Sequence, residues 1–213
     1  MGQRLSAELA ARSHRVTGLV RNGSEGRVAA GCRTVTGDPL DAASYRRHVV
    51  GHDAFVQLVG VSHPSPAKAA QFRSVDLASA VQSIAAAGSC GVQNFLYVSV
   101  AHPAPIMREY IAARSEAEQA IRESGLNATI LRPWYVLGPG RRWPLMLLPA
   151  YWVLGAMPAT RAGAQRLGLV TLAQMVGALA WAVEQPASGV RVMEVGEIRK
   201  AGAAGLKASA TRP

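Results

Sequence analysis

The sequence has little cysteine, little lysine and no long apolar run, and each scarcity removes a class of function. Cys32 and Cys90 are the only two cysteines, too few and too unpatterned for a disulfide scaffold or a zinc site. The five histidines fall into no metal-ligand spacing, so no metal is expected. The most apolar run, LMLLPAYWVLGAM at 145–157, contains Pro149. It is shorter than the ~18 residues that span a bilayer and reads as a buried or interfacial helix. The N-terminus is charged and lacks an apolar core, so no signal peptide is read. A reduced, soluble, cytoplasmic protein is the expectation. Of the 23 basic residues only Lys68, Lys200 and Lys207 are lysines; the acids number 13, and the net charge is +10. That charge is spread along the chain. No aromatic-interleaved basic stripe or recognition helix accompanies it, so nucleic acid is not an expected partner. Weak attraction to anionic ligands is expected.

What is present is enough for one packed core: 213 residues, 49% of them hydrophobic. Strand and helix patterns alternate. RVTGLVR (15–21), CRTVTGD (32–38), AFVQLVG (54–60), NFLYVSV (94–100), NATILRPWYV (127–136) and GVRVMEV (189–195) read as strands. The stretches 1–16, 41–51, 67–88 and 107–125 have helical spacing, and 166–186 reads as a short strand running into a helix capped by Thr171. In the first helix Leu5, Leu9 and Ala10 share a face, with Arg4, Glu8 and Arg12 off it. Alternation of this kind predicts an α/β fold, a parallel sheet with helices on both faces. Residues 1–140 form its core in this reading. Residues 141–198 supply a substrate-side region with a closing helix and strand. The tail from 199 to 213 has little apolar bulk and reads as disordered.

The chain begins with a helix where a strand is due. In a dinucleotide-binding unit a first strand enters a Gly-rich turn and then a helix, and the third glycine sits on that helix's first turn. Gly2 stands where such a glycine would stand. The next strand ends about 20 residues on, where this fold meets the adenosine ribose. Arg21 occupies that position, and an arginine suits the 2′-phosphate of NADP. Asn22 and Ser24 beside it are further phosphate donors. The alternative is a solvated turn arginine. A second constellation lies in YVSVAHPAPIMREYIAARSEAE (97–118). Ser99 ends a buried strand, where open α/β sheets place ligands. Tyr110 and Arg114, four apart, share a helix face. The tyrosine needs a nearby cation to act as acid or base at neutral pH. The plainer alternatives are that Ser99 caps its strand, Tyr110 packs, and Arg114 pairs with Glu118.

Taken together, MGQRL, GLVRN, GDPLDAAS, FVQLVG, FLYVSV, YIAAR and LRPWYVLGPG resemble the extended and atypical short-chain dehydrogenase/reductase superfamily over roughly residues 1–200. The likeness is strongest to members of nucleotide-sugar epimerase/dehydratase ancestry. These include NmrA-like proteins and the accessory NAD(P)H-binding subunit of respiratory complex I. The resemblance implies a Rossmann-like, doubly wound sheet that binds NAD(P); with Arg21 in place, NADP is the expected cofactor and NAD the alternative. It implies Gly2 as the last phosphate-loop glycine, Arg21 at the adenosine phosphate or ribose, and Asp38 at the adenine. Val59 and Gly60 would line the adenine-ribose side, and Pro133, Trp134 and Tyr135 the nicotinamide. Ser99 and Tyr110 would be catalytic, with Arg114 orienting the cofactor. Two departures stand out. Arg114 replaces the family's lysine, and its planar fork is larger and differently placed. The first strand and the two leading glycines are missing, and in this fold that strand is central. The start is therefore expected to lie upstream, with Met1 internal. A true truncation, or another segment filling the gap, are the alternatives.

Two functions follow. One is an NADP-preferring oxidoreductase or epimerase-like enzyme acting on a small carbonyl or alcohol. The other is a non-catalytic dinucleotide-sensing or assembly module. Trp143, Leu147, Tyr151 and Trp152 in segment 141–165 read as an apolar lid. The run 143–157 reads equally as a contact for a protein partner or a membrane surface.

Overall fold

The computed structural model describes residues 1–104, 106–138 and 167–210. Helix α1 (Gly2–Ala11) leads into strand β1 (Thr17–Val20), then β2 (Arg33–Thr36), a short helix α2 (Ala42–Tyr45) and β3 (Ala54–Gln57). One turn of helix, α3 (Ala69–Gln71), passes through a π-helical segment (Phe72–Leu77) into α4 (Ala78–Ser89). Next come β4 (Asn94–Val98), α5 (Arg108–Glu123), β5 (Ala128–Leu131) and β6 (Tyr135–Leu137). After the undescribed stretch follow β7 (Leu169–Thr171), α6 (Leu172–Glu184), β8 (Val190–Met193) and α7 (Val195–Ala210). The expected Rossmann-like α/β architecture is present, and every strand pair is parallel.

Strands β3, β4, β5 and β8 form a four-stranded sheet in that order. Its centre is apolar on both faces, with Phe95, Leu96, Tyr97, Ile130 and Leu131 all fully buried, as helix-covered parallel strands require. One core joins α1, α6 and α7 to the sheet through Leu5, Leu9, Leu96, Leu131, Met175 and Leu179. The other packs α4 and α5 on the opposite face through Ile84, Phe95, Tyr97, Ile121 and Ile130. Thr171 caps α6 as the sequence suggests: its hydroxyl accepts from the Gln174 amide, and the Gln174 side chain accepts from the Thr171 amide.

Strands β1 and β2 pair only with each other. Among the described residues no strand pairs with the free edge of β1 or of β3, and both strands line one cleft of about 2230 Å³. The strand order is thus β2-β1, a slot, then β3-β4-β5-β8. Helix α1 borders the slot: its Leu5 and Leu9 line the cleft and belong to the core cluster against which Val16, Val56 and Leu58 pack.

Several expected elements are divided. The strand read over 127–136 breaks at Arg132-Pro133, because proline cannot donate to the ladder. The helix read over 67–88 carries the π segment. That over 41–51 tightens after Tyr45 into a 3-10 turn, Arg46–His48. The tail needs a correction. Through Ala210 it is not disordered but forms α7. Its lack of bulk is what lets it pack: a Cβ on Gly177 would stand 2.6 Å from the Gly202 carbonyl oxygen, and one on Gly202 only 2.8 Å from Gln174 Cα. Two helices meet almost backbone to backbone. Arg12, read as lying off the apolar face, is only 4% exposed. It bonds Glu8 on its own helix, Glu184 at the end of α6 (2.9 Å) and the Gly205 carbonyl of α7 (2.5 Å). The apolar lid read at 141–165 and the contact surface read at 143–157 lie outside the described residues.

Gly177→Ala tests this packing. Helix propensity favours alanine by up to ~1 kcal/mol, but a methyl pressed into backbone costs about 1–3 kcal/mol. A net loss of about 1–2 kcal/mol in urea denaturation is expected. A variant as stable as the parent would contradict the close α6–α7 contact.

Candidate functional site

The cleft collects one half of the sequence-derived site. Gly2, Arg21, Asn22, Asp38, Val59 and Gly60 all line it, as does Ser24. Local structure explains why. Arg21 follows the last residue of β1, and the loop after it folds back over the strand. Gly18 permits that, since a Cβ there would collide with the Val28 side chain. The loop is tied to α1 by the Ala29 amide donating to Ser6 Oγ at 3.1 Å. Arg21, Asn22 and Asp38 are exposed, and one Asp38 oxygen accepts from the Leu40 amide at 2.9 Å in its own turn. Arg27, Arg33 and Lys68 also line the cleft, so its wall favours an anion. Met1 occupies the N-cap of α1 without a side-chain cap, and Met1, Gly2 and Gln3 at this helix start line the same cleft. Gly2, Arg21, Asn22, Val59 and Gly60 can therefore hold an extended phosphate-bearing ligand.

On the far side of Gly60 lies a buried cationic cluster. Arg114 is 6% exposed. Its Nη2 donates to Asp76 Oδ1 at 2.5 Å, and its Nη1 to the Val98 carbonyl at 2.8 Å and to Tyr97 Oη at 3.2 Å. The guanidinium lies 5.6 Å from the Tyr97 ring centre and 5.2 Å from that of Tyr110, within cation–π range. Tyr110 is half-buried, with its ring edge-on to Phe72 at 5.0 Å. Burial pushes the Tyr97 phenol up to about 12, against the pull of Arg114, so it stays protonated at neutral pH. A Cβ on Gly60 would stand 2.9 Å from Asp76 Oδ1 and closer still to the Arg114 guanidinium. Glycine alone fits between this cluster and the cleft.

A second buried network surrounds Ser99, at the end of β4. Its hydroxyl donates to Glu118 Oε1 at 2.6 Å. Glu118, 1% exposed, also accepts two bonds from Arg132, at 2.9 and 2.5 Å, and one from Arg122 at 3.2 Å. His102 Nε2 lies 3.3 Å from the same carboxylate. Burial raises the Glu118 pKa, but hydrogen bonds from Arg132 and Ser99 and the Arg132 charge outweigh it and hold the carboxyl below its usual 4.5.

The structure therefore splits the sequence-derived residues. Pro133, Trp134 and Tyr135 follow β5 and do not line the cleft. Pro133 is buried and its carbonyl accepts from the Ala101 amide at 3.0 Å; the Trp134 and Tyr135 rings meet edge to face. Among the described residues no hydrogen bond links Ser99, Tyr110 and Arg114 to one another. The pairing of Arg114 with Glu118, an alternative suggested by helical spacing, is not formed; the partners are Asp76 and Arg132 respectively. Sequence reasoning missed Asp76, Glu118 and Arg132. Arg132, a charge directly after a buried strand, is the one signal that pointed there.

A family described as NAD(P)H-binding matches residues 1–141. No curated protein sequence matches the chain. Among solved structures, the WbmH enzyme of Bordetella bronchiseptica in complex with NAD+ is similar at 18% identity and a TM-score of 0.67, covering 100% of this chain and 78% of that one. Thermus thermophilus UDP-glucose 4-epimerase with NAD is similar at 17% identity and 0.65, covering 100% and 81%. A double mutant of DesIV, the dTDP-glucose 4,6-dehydratase of Streptomyces venezuelae, with NAD and DAU bound, is similar at 18% and 0.65, covering 99% and 78%. At these identities the likeness is one of fold. No helix among the described residues is long and apolar enough to cross a membrane.

The Glu118 network sets a pH dependence. Because the folded carboxyl is held below its ordinary value, its contribution to stability is complete above that value and is lost as pH falls through the folded one. Glu118→Gln leaves Arg132 without its main charge partner and is expected to cost about 3 kcal/mol at pH 7. The gap between variant and parent narrows in acid, where the parent loses the same charge. Denaturation midpoints at several pH values check this; a gap independent of pH contradicts it.

Proposed function

Because the chain belongs to the family of NAD(P)H-binding domains, we propose that it holds a nicotinamide dinucleotide in the β1–β3 cleft and prefers NADP(H). The observation that carries this reading is the convergence of Gly2, Arg21, Asn22, Asp38, Val59 and Gly60 on one cleft. In it, Arg21 meets the 2′-phosphate with its planar fork, helped by Asn22 and Ser24. Asp38 faces the adenine, and the first turn of α1 at Gly2 faces the pyrophosphate. Val59 and Gly60 line the ribose. An arginine after β1, in place of an acid that would accept from a ribose hydroxyl, is the reason for preferring NADP over NAD.

The proposal includes a parallel strand in the slot. The β1 and β3 edges that border the cleft, together with its apolar lining residues, support a parallel segment running through the slot.

A bound dinucleotide would supply or accept a hydride. An oxidoreductase or epimerase-like reaction on a small carbonyl or alcohol would then need Ser99 to donate to the substrate oxygen and Tyr110 to pass the proton. The Ser99 hydroxyl donates its hydrogen bond to Glu118, and the Arg114 charge is matched by Asp76. Both contacts favour the non-catalytic module, a dinucleotide-sensing or assembly protein, over the enzyme.

Titration with both dinucleotides tests the reading. NADPH is expected to bind more tightly than NADH, and Arg21→Asp to weaken NADPH about tenfold or more, the worth of a charge-assisted hydrogen bond, with little change for NADH. Equal curves before and after the substitution contradict the assignment. Small carbonyl compounds are expected to drive no NADPH oxidation. Turnover that drops ~10²–10⁴-fold in Tyr110→Phe would restore the enzyme reading.

A further inference from the structure

Asp76 enters the assignments above only as the partner of Arg114, yet it also reaches the cleft wall. It lies fully buried in the π-helical segment Phe72–Leu77. Such a segment locally changes the direction in which side chains project. One carboxylate oxygen accepts from Arg114, and the other accepts from the Val61 amide at 3.0 Å. The Asp76 carbonyl accepts from Ser79 Oγ at 3.2 Å, Ser79 Oγ in turn accepts from Gln57 Nε2 at 3.2 Å, and Gln57 Oε1 accepts from the Val59 amide at 3.1 Å. The amides on either side of Gly60 are therefore held by one buried chain of polar groups. Gly60 between them has no room for a side chain, because Arg114 and Asp76 occupy that space.

We propose that Asp76 is a positioning residue of the cleft: it fixes the Val59–Val61 wall against Arg114, so that a ligand meets bare backbone at Gly60. This rests on the dinucleotide reading of the cleft for its ligand, but not for its geometry. The fixed wall sets how deeply the ribose half of a dinucleotide seats. The same carboxylate neutralises Arg114 and holds it between Tyr97 and Tyr110, so the wall and the tyrosine face are held by one group.

The alternative is that Asp76 only balances the Arg114 charge, and the two are separable. Asp76→Asn made together with Arg114→Leu keeps an oxygen for the Val61 amide and leaves no guanidinium opposite the new NH2 group; Asp76→Ala removes the oxygen. The double variant Asp76→Ala with Arg114→Leu leaves no unpaired buried charge and supplies a folded background if the single alanine variant fails to fold. In hydrogen exchange without ligand, the Val61 amide is expected to exchange at least about tenfold faster in Asp76→Ala and in its double variant, and close to the parent rate in Asp76→Asn with Arg114→Leu. The NADPH dissociation constant is expected to rise about tenfold in the two alanine-bearing variants and far less in the asparagine-bearing one. Adenosine 2′,5′-bisphosphate, which reaches only the Arg21 end, is expected to bind all of them alike. Unchanged Val61 exchange in the alanine-bearing double variant overturns the proposal, as does equally fast exchange in both double variants. If the parent binds no NADPH, the dinucleotide reading fails and the exchange rates alone decide the wall.

Discussion

Backbone amides and carbonyls in the middle of a sheet need partners, because unpaired groups removed from water cost free energy comparable to a lost hydrogen bond. The inner edges of β1 and β3 face each other across a cleft with no strand between them among the described residues. Much of the molecule is arranged around that slot. Helix α1 borders it. The loop carrying Arg21 and the wall carrying Gly60 stand on its two sides. The proposed ligand-binding residues and the two strand edges border the same cleft, so whatever occupies the slot also shapes the site.

Away from the slot the molecule is closed by buried charge, held in three separate sets. Arg12 ties α1 to the ends of α6 and α7. Arg114 and Asp76 lie beneath the cleft wall. Glu118 and Arg132 join α5 to the end of β5, and Arg132 reaches on to Glu194 after β8 at 3.0 Å. Removing one partner from such a pair is costly, whereas the intact pair contributes little net stability. These sets therefore fix geometry more than they add stability. That matters chemically, since the Ser99 hydroxyl and the Arg114 charge are both committed to carboxylates within the protein.

The alternation of elements was legible because buried parallel strands are short apolar runs and their covering helices are amphipathic. The cleft residues were legible too, since position relative to strand ends governs them, and Arg21 and Gly60 each stand at such an end. Asp76 was hidden because a π segment breaks the 3.6-residue spacing on which face assignments depend. Glu118 was misread because helical spacing placed it beside Arg114, while tertiary contacts drew the two side chains to different partners. Helix α7 is hidden from a reading by apolar bulk, because its contact with α6 is made by glycines. Gly177, Gly202 and Gly205 pack by having none. The stretch 139–166 lies outside the described residues, and the substrate-side reading of Trp143 and Trp152 stays an expectation from sequence.

The central claim is that the β1–β3 cleft is the dinucleotide site. Its most direct test is a hydrogen-exchange footprint recorded with and without saturating NADPH. Slowed exchange confined to the turn after β1, residues 20–24, the wall at 59–61 and the first turn of α1 is the result this account predicts. Protection elsewhere with these three segments unchanged would contradict it.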